Sequence, residues 1–211
     1  LLKALYNAAQ RGVRVRLLLD DNGVPGLDST IAALNALPNF DIRLFNPSTI
    51  RSPKMMGYTF DFMRMNRRMH NKSFVVDGSA AIIGGRNIGN EYFQVGDENF
   101  YLDMDAMGLG AVVTQTQAVF DQYWNSASVF AAETIITGSG DLDAFLRGVA
   151  EAEASDAARL LGDQLVTSAE RYRNGQLAPE WTQVQVVADD PVKGLGIARA
   201  LYRRPRLLVL D

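Results

Sequence analysis

The chain has 211 residues, 47% of them hydrophobic and 21% charged, so it holds enough apolar side chain for a buried core, and it contains no apolar run long enough to span a bilayer. Its formal net charge of −3 gives the bulk surface no pull on a polyanion, and nucleic acid is not an expected partner. Cysteine is absent and histidine occurs once, which removes disulfides and would make a zinc site rely on carboxylates; no metal is expected.

Residues 1–11 carry helical spacing in Leu2, Leu5 and Ala9 and stop at Gly12. VRVRLLLDDNG starts with strand alternation and closes as an apolar run with a turn. DSTIAALNAL begins on an N-cap at Asp28 or Ser29 and ends before Pro38; FDIRLF (40–45) alternates as a second strand. Helix, strand, helix, strand implies an α/β layered domain with a partly parallel sheet.

Residues 46–69 show no period, and a segment of that length without one is often functional. Arg51, Lys54, Arg64, Arg67 and Arg68 lie in it, either as a solvated face or as a basic approach to a phosphate site. A strand hairpin is expected over 72–84 and another strand in YLDMDAMGLG (101–110). AVVTQTQAVFDQYWNSA reads as a helix with Val112, Thr116, Val119, Phe120 and Tyr123 on its buried face. Two acidic, alanine-rich helices follow at 141–153 and 155–173. VQVVADD then reads as a strand, GLGIARALY as a helix and RLLVLD as a strand, so a second α/β unit is expected to begin. Both ends read as cut, because the chain opens inside an amphipathic helix without Met and stops on a core-type strand.

The chemistry concentrates in RRMHNKSFVVDGSAAIIGGRN (67–87), which holds the lone histidine, His70. Strand alternation puts His70, Lys72, Phe74 and Val76 on one face and Asp77 on the other. A two-residue turn around Asp77-Gly78-Ser79 allows two registers. With Gly78 and Ser79 central, Lys72 faces Gly85 and His70 faces Asn87; with Asp77 and Gly78 central, His70 faces Gly85. Either register predicts one face carrying His70, Lys72, Gly85 and Asn87. That face would offer an imidazole, an ammonium, a carboxamide and glycine N–H groups, a set suited to phosphate.

His70-x-Lys72-x(4)-Asp77-x(6)-Gly84-Gly85-x-Asn87 resembles the HKD motif of the phospholipase D superfamily. GVRVRLLLDDNG, NRRMHNKSFVVDG, GGRNIGNEYF and FDQYWNS are similar to bacterial cardiolipin synthases of that type, from about residue 1 to 130 and more loosely to about 195. The resemblance implies a phospholipase D-like layered sandwich, a mixed sheet flanked by helices. It divides the chain into a first HKD domain at 1–138, a helical connecting region at 139–180, and the start of a second α/β unit, truncated or chimeric, at 181–211.

It also implies chemistry. His70 is the nucleophile that forms a phosphohistidine, Lys72 and Asn87 bind non-bridging oxygens with help from the Gly84-Gly85 backbone, and Asp77 belongs to the motif with a structural role expected. An acidic residue orients the histidine: Glu98, Asp103 or Asp105, with Asp103 favoured because it starts the next strand. No metal or cofactor is implied. The implied activity is phosphatidyl transfer between phosphatidylglycerol molecules, on a phospholipid substrate at a membrane surface, by a peripheral bacterial membrane enzyme. Met63, Met65 and Met69 would meet lipid or fill core. A second HKD half is required, in the same chain or in a homodimer mate. The alternatives are a homodimeric phosphodiesterase or nuclease, and a non-catalytic module for anionic lipid or phosphate. GIARALYRRPRLLVLD (196–211) is separately similar to the helix and Walker B strand of an ABC-transporter ATPase, with Asp211 at the magnesium position. The Walker A loop and signature are absent, so no ATPase role is expected.

Overall fold

The computed structural model describes residues 1–48, 50–51, 66–93, 101–176 and 180–195. In chain order the elements are α1 (Leu2–Gln10), β1 (Val15–Asp20), α2 (Asp28–Asn35), β2 (Phe40–Phe45), β3 (Lys72–Val76), β4 (Ala80–Gly84), β5 (Asp105–Leu109), α3 (Ala111–Trp124), β6 (Val129–Ala131), α4 (Ala132–Ile135), α5 (Leu142–Glu153) and α6 (Asp156–Arg173). This is the α/β layering expected from the alternation of periods, with one difference. The strands form two three-stranded sheets, β1-β2-β6 and β3-β4-β5.

The first sheet is mixed. β1 and β2 run parallel from Val15↔Phe40 to Asp20↔Phe45, and β6 joins β2 antiparallel through Phe45↔Val129. The apolar side chains of α1, α2 and the two parallel strands meet in one core, which includes Ala9, Val15, Ile31, Leu34, Phe40, Ile42 and Leu44. Ile42 and Leu44 are fully buried; each such side chain contributes about 1.5–3 kcal/mol of transfer free energy. Since parallel strands end at the same side, Asp20 and Phe45 bring the carboxyl ends of β1 and β2 together. In open α/β sheets that edge is where ligands bind.

The second sheet is antiparallel throughout. Lys72, Gly84 and Asp105 form one row across its three strands, Phe74, Ile82 and Met107 the next, and Val76, Ala80 and Leu109 the third. The opposite face carries Ala81, which packs under α3 with Val113; both are 1% exposed. At Gly108 a Cβ would run into Val112, so glycine permits the close approach of helix and sheet. The three-row face stays open, with Phe74, Val76, Ile82, Met107 and Leu109 between 42% and 53% exposed.

Several local expectations are corrected. Asp28 is the first helical residue of α2 and makes no cap, because Leu27 occupies the capping position. The strand expected over 101–110 begins only at Asp105, where pairing with Gly84 starts. In α3 the buried residues are Val113, Thr116, Tyr123 and Trp124, the expected stripe rotated by about one residue. VQVVADD has no strand ladder among the described residues; instead the Val186 N–H donates to Gln115 Oε1 of α3 at 2.9 Å. The two late helices form as read, capped by Asp141 and Ser155, whose side chains accept from the N–H groups of Ala144 and Ala158. β6 was not foreseen, three residues being too short to show a period. The ATPase-like stretch 196–211 lies outside the described residues, as do Lys54, Met63, Arg64, Met65 and Glu98.

Candidate active site

The hairpin turn decides which groups share a face. Asp77 and Gly78 have φ of 50° and 63°, the positive pair a type I′ turn uses, and the Ser79 N–H closes it on Val76 O at 2.9 Å. The turn with Asp77 and Gly78 central is therefore present. Ser79 then stands as one extra residue, and the ladder resumes at Val76↔Ala80. That residue shifts the register between the two expected ones: Lys72 faces Gly84, not Gly85. The four-residue face does not form, because Gly85 falls in step with Asn71 on the other side. Asn87 has left the ladder altogether, and its exposed amide donates to the Tyr92 hydroxyl at 2.9 Å. Asp77 sits at the far end of β3 from His70, in a conformation that favours Asp, Asn or Gly.

His70 is exposed, and its position is set from the first sheet. Asp20, the last residue of β1, accepts the Met69 N–H at Oδ2 (2.6 Å) and the Arg68 Nε at 3.0 and 3.1 Å. It also accepts the Asn22 N–H at 2.9 Å. Asn46, just past β2 and at φ 48°, donates its side-chain amide to Arg67 O at 3.1 Å. Residues 67, 68 and 69 are thus each tied to the carboxyl edge of β1 and β2, and the next residue is the histidine.

The neighbouring carboxylate does the same for the start of the 46–69 segment. Asp21 is 1% exposed; it accepts the Ser48 N–H at 3.0 Å and Arg51 Nη1 at 2.6 Å. Arg51 also forks onto Asp28, with Nε at 2.9 Å from Oδ2 and Nη2 on Oδ1. Burial alone would lower the Arg51 pKa, but its bonds to Asp28 and Asp21 outweigh that and raise it. Arg51 and Arg68 are therefore structural partners of carboxylates, neither a solvated face nor a free basic rim.

Around the end of β4, Arg86 ties three residues together. Its Nε pairs with Asp105 Oδ2 (2.8 Å), Nη1 donates to Tyr92 O (2.9 Å) and Nη2 to Asp103 O (2.9 Å). Asp105 is thereby committed. Asp103 precedes β5 by two residues instead of starting it; its Oδ1 accepts the Met104 N–H at 2.8 Å, and Oδ2 has no hydrogen-bond donor among the described residues. The Gly85 N–H turns to Met104 O at 3.4 Å, so this glycine supplies room for Asp103 more than a donor for phosphate.

Sequence reasoning missed Asp20, Asn46 and Arg86. A usable signal existed for the first: Asp20 ends a strand whose parallel neighbour ends beside it, the edge where open sheets hold ligands. Among the described residues no group of histidine and carboxylates has the arrangement of a metal site.

The family described as "Cardiolipin synthase, PLD-like domain" matches residues 1–124. Cardiolipin synthase C of Escherichia coli K12 is 39% identical over 222 aligned positions, covering 99% of this chain and 45% of the relative. An uncharacterized protein of Helicobacter pylori 26695 is 45% identical over 124 residues, 58% of this chain and 25% of the relative. The major cardiolipin synthase ClsA of Bacillus subtilis 168 is 30% identical over 126 residues, 59% of this chain and 24% of the relative. The chain spans less than half the length of each of these relatives.

Proposed function

The chain belongs to the cardiolipin synthase family of phospholipase D-like domains, and from that premise we propose that it forms one half of a phosphatidyltransferase active site that works through a phosphohistidine. A ring nitrogen of His70 attacks the phosphorus of one phosphatidylglycerol, and the P–O bond to the departing glycerol breaks as the P–N bond forms. The departing oxygen takes its proton from a second histidine. These 211 residues contain none, so it comes from a second HKD half in the same polypeptide or in a homodimer mate. The glycerol hydroxyl of another phosphatidylglycerol then attacks the phosphorus, returns a proton to the second histidine and releases cardiolipin from His70.

Lys72 and the Asn87 amide stabilise charge on the non-bridging oxygens as it grows. Asp103, with Oδ2 open, is the acceptor that fixes the His70 tautomer. Asp77 shapes the turn. The observation that carries the reading is the placement of His70: exposed, one residue after a tether to the carboxyl edge of β1, and two before the strand that starts on Lys72. Work at a membrane surface fits this substrate. Among the described residues no helix is long and apolar enough to cross a membrane, and peripheral association is part of the proposal.

The test is lipid turnover by the full-length protein on phosphatidylglycerol vesicles. Cardiolipin and free glycerol should appear in equal amounts and both should vanish in His70→Ala; undiminished turnover in that variant removes the assignment. One observation favours a second reading, a homodimeric phosphodiesterase: the open apolar face of β3-β4-β5 continues from Lys72 and leaves room for a second copy. A stable dimer of these 211 residues that hydrolyses a phosphodiester would select it.

A further inference from the structure

Chemistry at a histidine needs the ring placed as well as present. A displacement of about 1 Å at a reacting group can cost about 100-fold in rate. His70 lies between Met69 and Lys72, and the chain is held at both of these residues. On the β3 side the ladder begins at Lys72. On the other side the backbone N–H of Met69 is held by the carboxylate of Asp20.

We infer that Asp20 is the positioning residue of His70, holding the backbone that leads into the histidine against the carboxyl edge of β1. The reading rests on His70 being the nucleophile. Asp20 is itself well placed for the task. Its strand partner Phe45 is 1% exposed in the core, its own side chain is 11% exposed, and Oδ1 caps the Asn22 N–H. Oδ2 accepts the Met69 N–H at 2.6 Å, and both oxygens lie within 3.1 Å of the Arg68 Nε.

Only an acceptor-only group suits this set. Every neighbour donates, so a carboxylate satisfies all three, whereas an amide must turn its NH2 toward at least one donor. The Asn46 bond to Arg67 O adds a second tether one residue further back. Only His70 and Asn71 separate Met69 from Lys72, so little chain is left to carry His70 elsewhere while both points hold. Asp20 acts on His70 through the backbone and is not placed to touch substrate.

The experiment measures steady-state kinetics and phosphohistidine formation by the full-length protein on radiolabelled phosphatidylglycerol vesicles. Asp20→Ala should lower kcat by about 100-fold and leave KM within about twofold, because binding and chemistry separate when only the nucleophile is misplaced. Asp20→Asn, which keeps one acceptor oxygen, should fall between wild type and Asp20→Ala. Asp121→Asn, which removes the 2.8 Å Arg16 pair outside this network, should leave kcat unchanged. Should Asp20→Ala not fold, Asp20→Asn and Arg68→Gln decide in the same way, each expected to lose kcat and not KM.

Wild-type kcat in the folded Asp20 variants overturns the inference. So does a loss that Asp121→Asn shares in proportion to thermal stability, since that is general destabilisation. Adduct on a residue other than His70 overturns the underlying reading instead, while adduct on His70 that forms regardless of Asp20 overturns the positioning role alone.

Discussion

The carboxylate of Asp103 rests on Gly85: a Cβ built on that glycine would lie 2.5 Å from Oδ1 and 2.7 Å from Oδ2. The neighbouring glycine differs in what it meets, since a Cβ on Gly84 would press on Met104 O at 2.6 Å and on the Cα of Asp105 at 2.8 Å. A carboxylate end swings aside easily and a paired strand does not. Gly85→Ala should therefore unfold within about 1 kcal/mol of wild type yet lose activity by about tenfold or more, as Asp103 leaves its position beside the glycine. Gly84→Ala should cost about 1–3 kcal/mol of stability through the displaced β5 backbone. Denaturant titration beside initial rates separates the two.

Asp77 and Gly78 both hold positive φ in the β3–β4 turn, 50° and 63°. Asparagine tolerates that region and alanine does not, at a cost of about 1–2 kcal/mol. Asp77→Asn should be close to neutral in both stability and activity, while Asp77→Ala and Gly78→Ala should lower the unfolding midpoint with little change in kcat per folded molecule. A large kcat loss in a folded Asp77→Asn protein would give this aspartate a direct part in the chemistry.

Arg51 neutralises Asp21, whose side chain is 1% exposed. Removing the cation breaks a buried ion pair, a change that costs about 3–5 kcal/mol. Arg51→Ala should destabilise by that order, and the double variant Arg51→Ala, Asp21→Asn should recover a large part of it. Chemical denaturation of the two variants checks the coupling.

The buried Tyr123 phenol is pushed well above its usual pKa of 10.0, first by burial and then by Asp189, with the Asn71 amide offsetting part of the shift. In the native state the phenol keeps its proton where the unfolded chain loses it, so the unfolded state binds fewer protons above pH 10 and stability falls as pH rises. Its contribution is complete below pH about 10 and is lost as pH climbs through the native value. Tyr123→Phe should flatten this alkaline limb of a stability profile, and phenolate absorbance should show one tyrosine titrating late.

Strong periodicity made much of the fold legible. FDIRLF is β2 from Phe40 to Phe45 as read, and the helices expected at 141–153 and 155–173 form with their first residues, Asp141 and Ser155, as caps. The candidate site was legible in composition but not in register. Lys72 opens β3 where the hairpin was expected, yet one extra residue, Ser79, moved it opposite Gly84 and took Gly85 to the other face. Sequence gives the turn residues well and the loop count poorly, because both Asp77-Gly78 and Gly78-Ser79 satisfy turn chemistry. Two residues of the basic run, Arg51 and Arg68, differ from both readings of it for another reason. An arginine looks the same in sequence whether it faces phosphate or a buried carboxylate, and the partners of Arg51 and Arg68 lie 23 to 48 residues away.

The most direct test is to locate the covalent adduct. The full-length protein, mixed with phosphatidylglycerol vesicles, quenched at alkaline pH and digested, should yield the peptide bearing His70 with a phosphatidyl group on the imidazole, and none in His70→Ala. A phosphatidyl group found on another residue, or turnover with no covalent phosphorus on the protein at any time, would contradict the account.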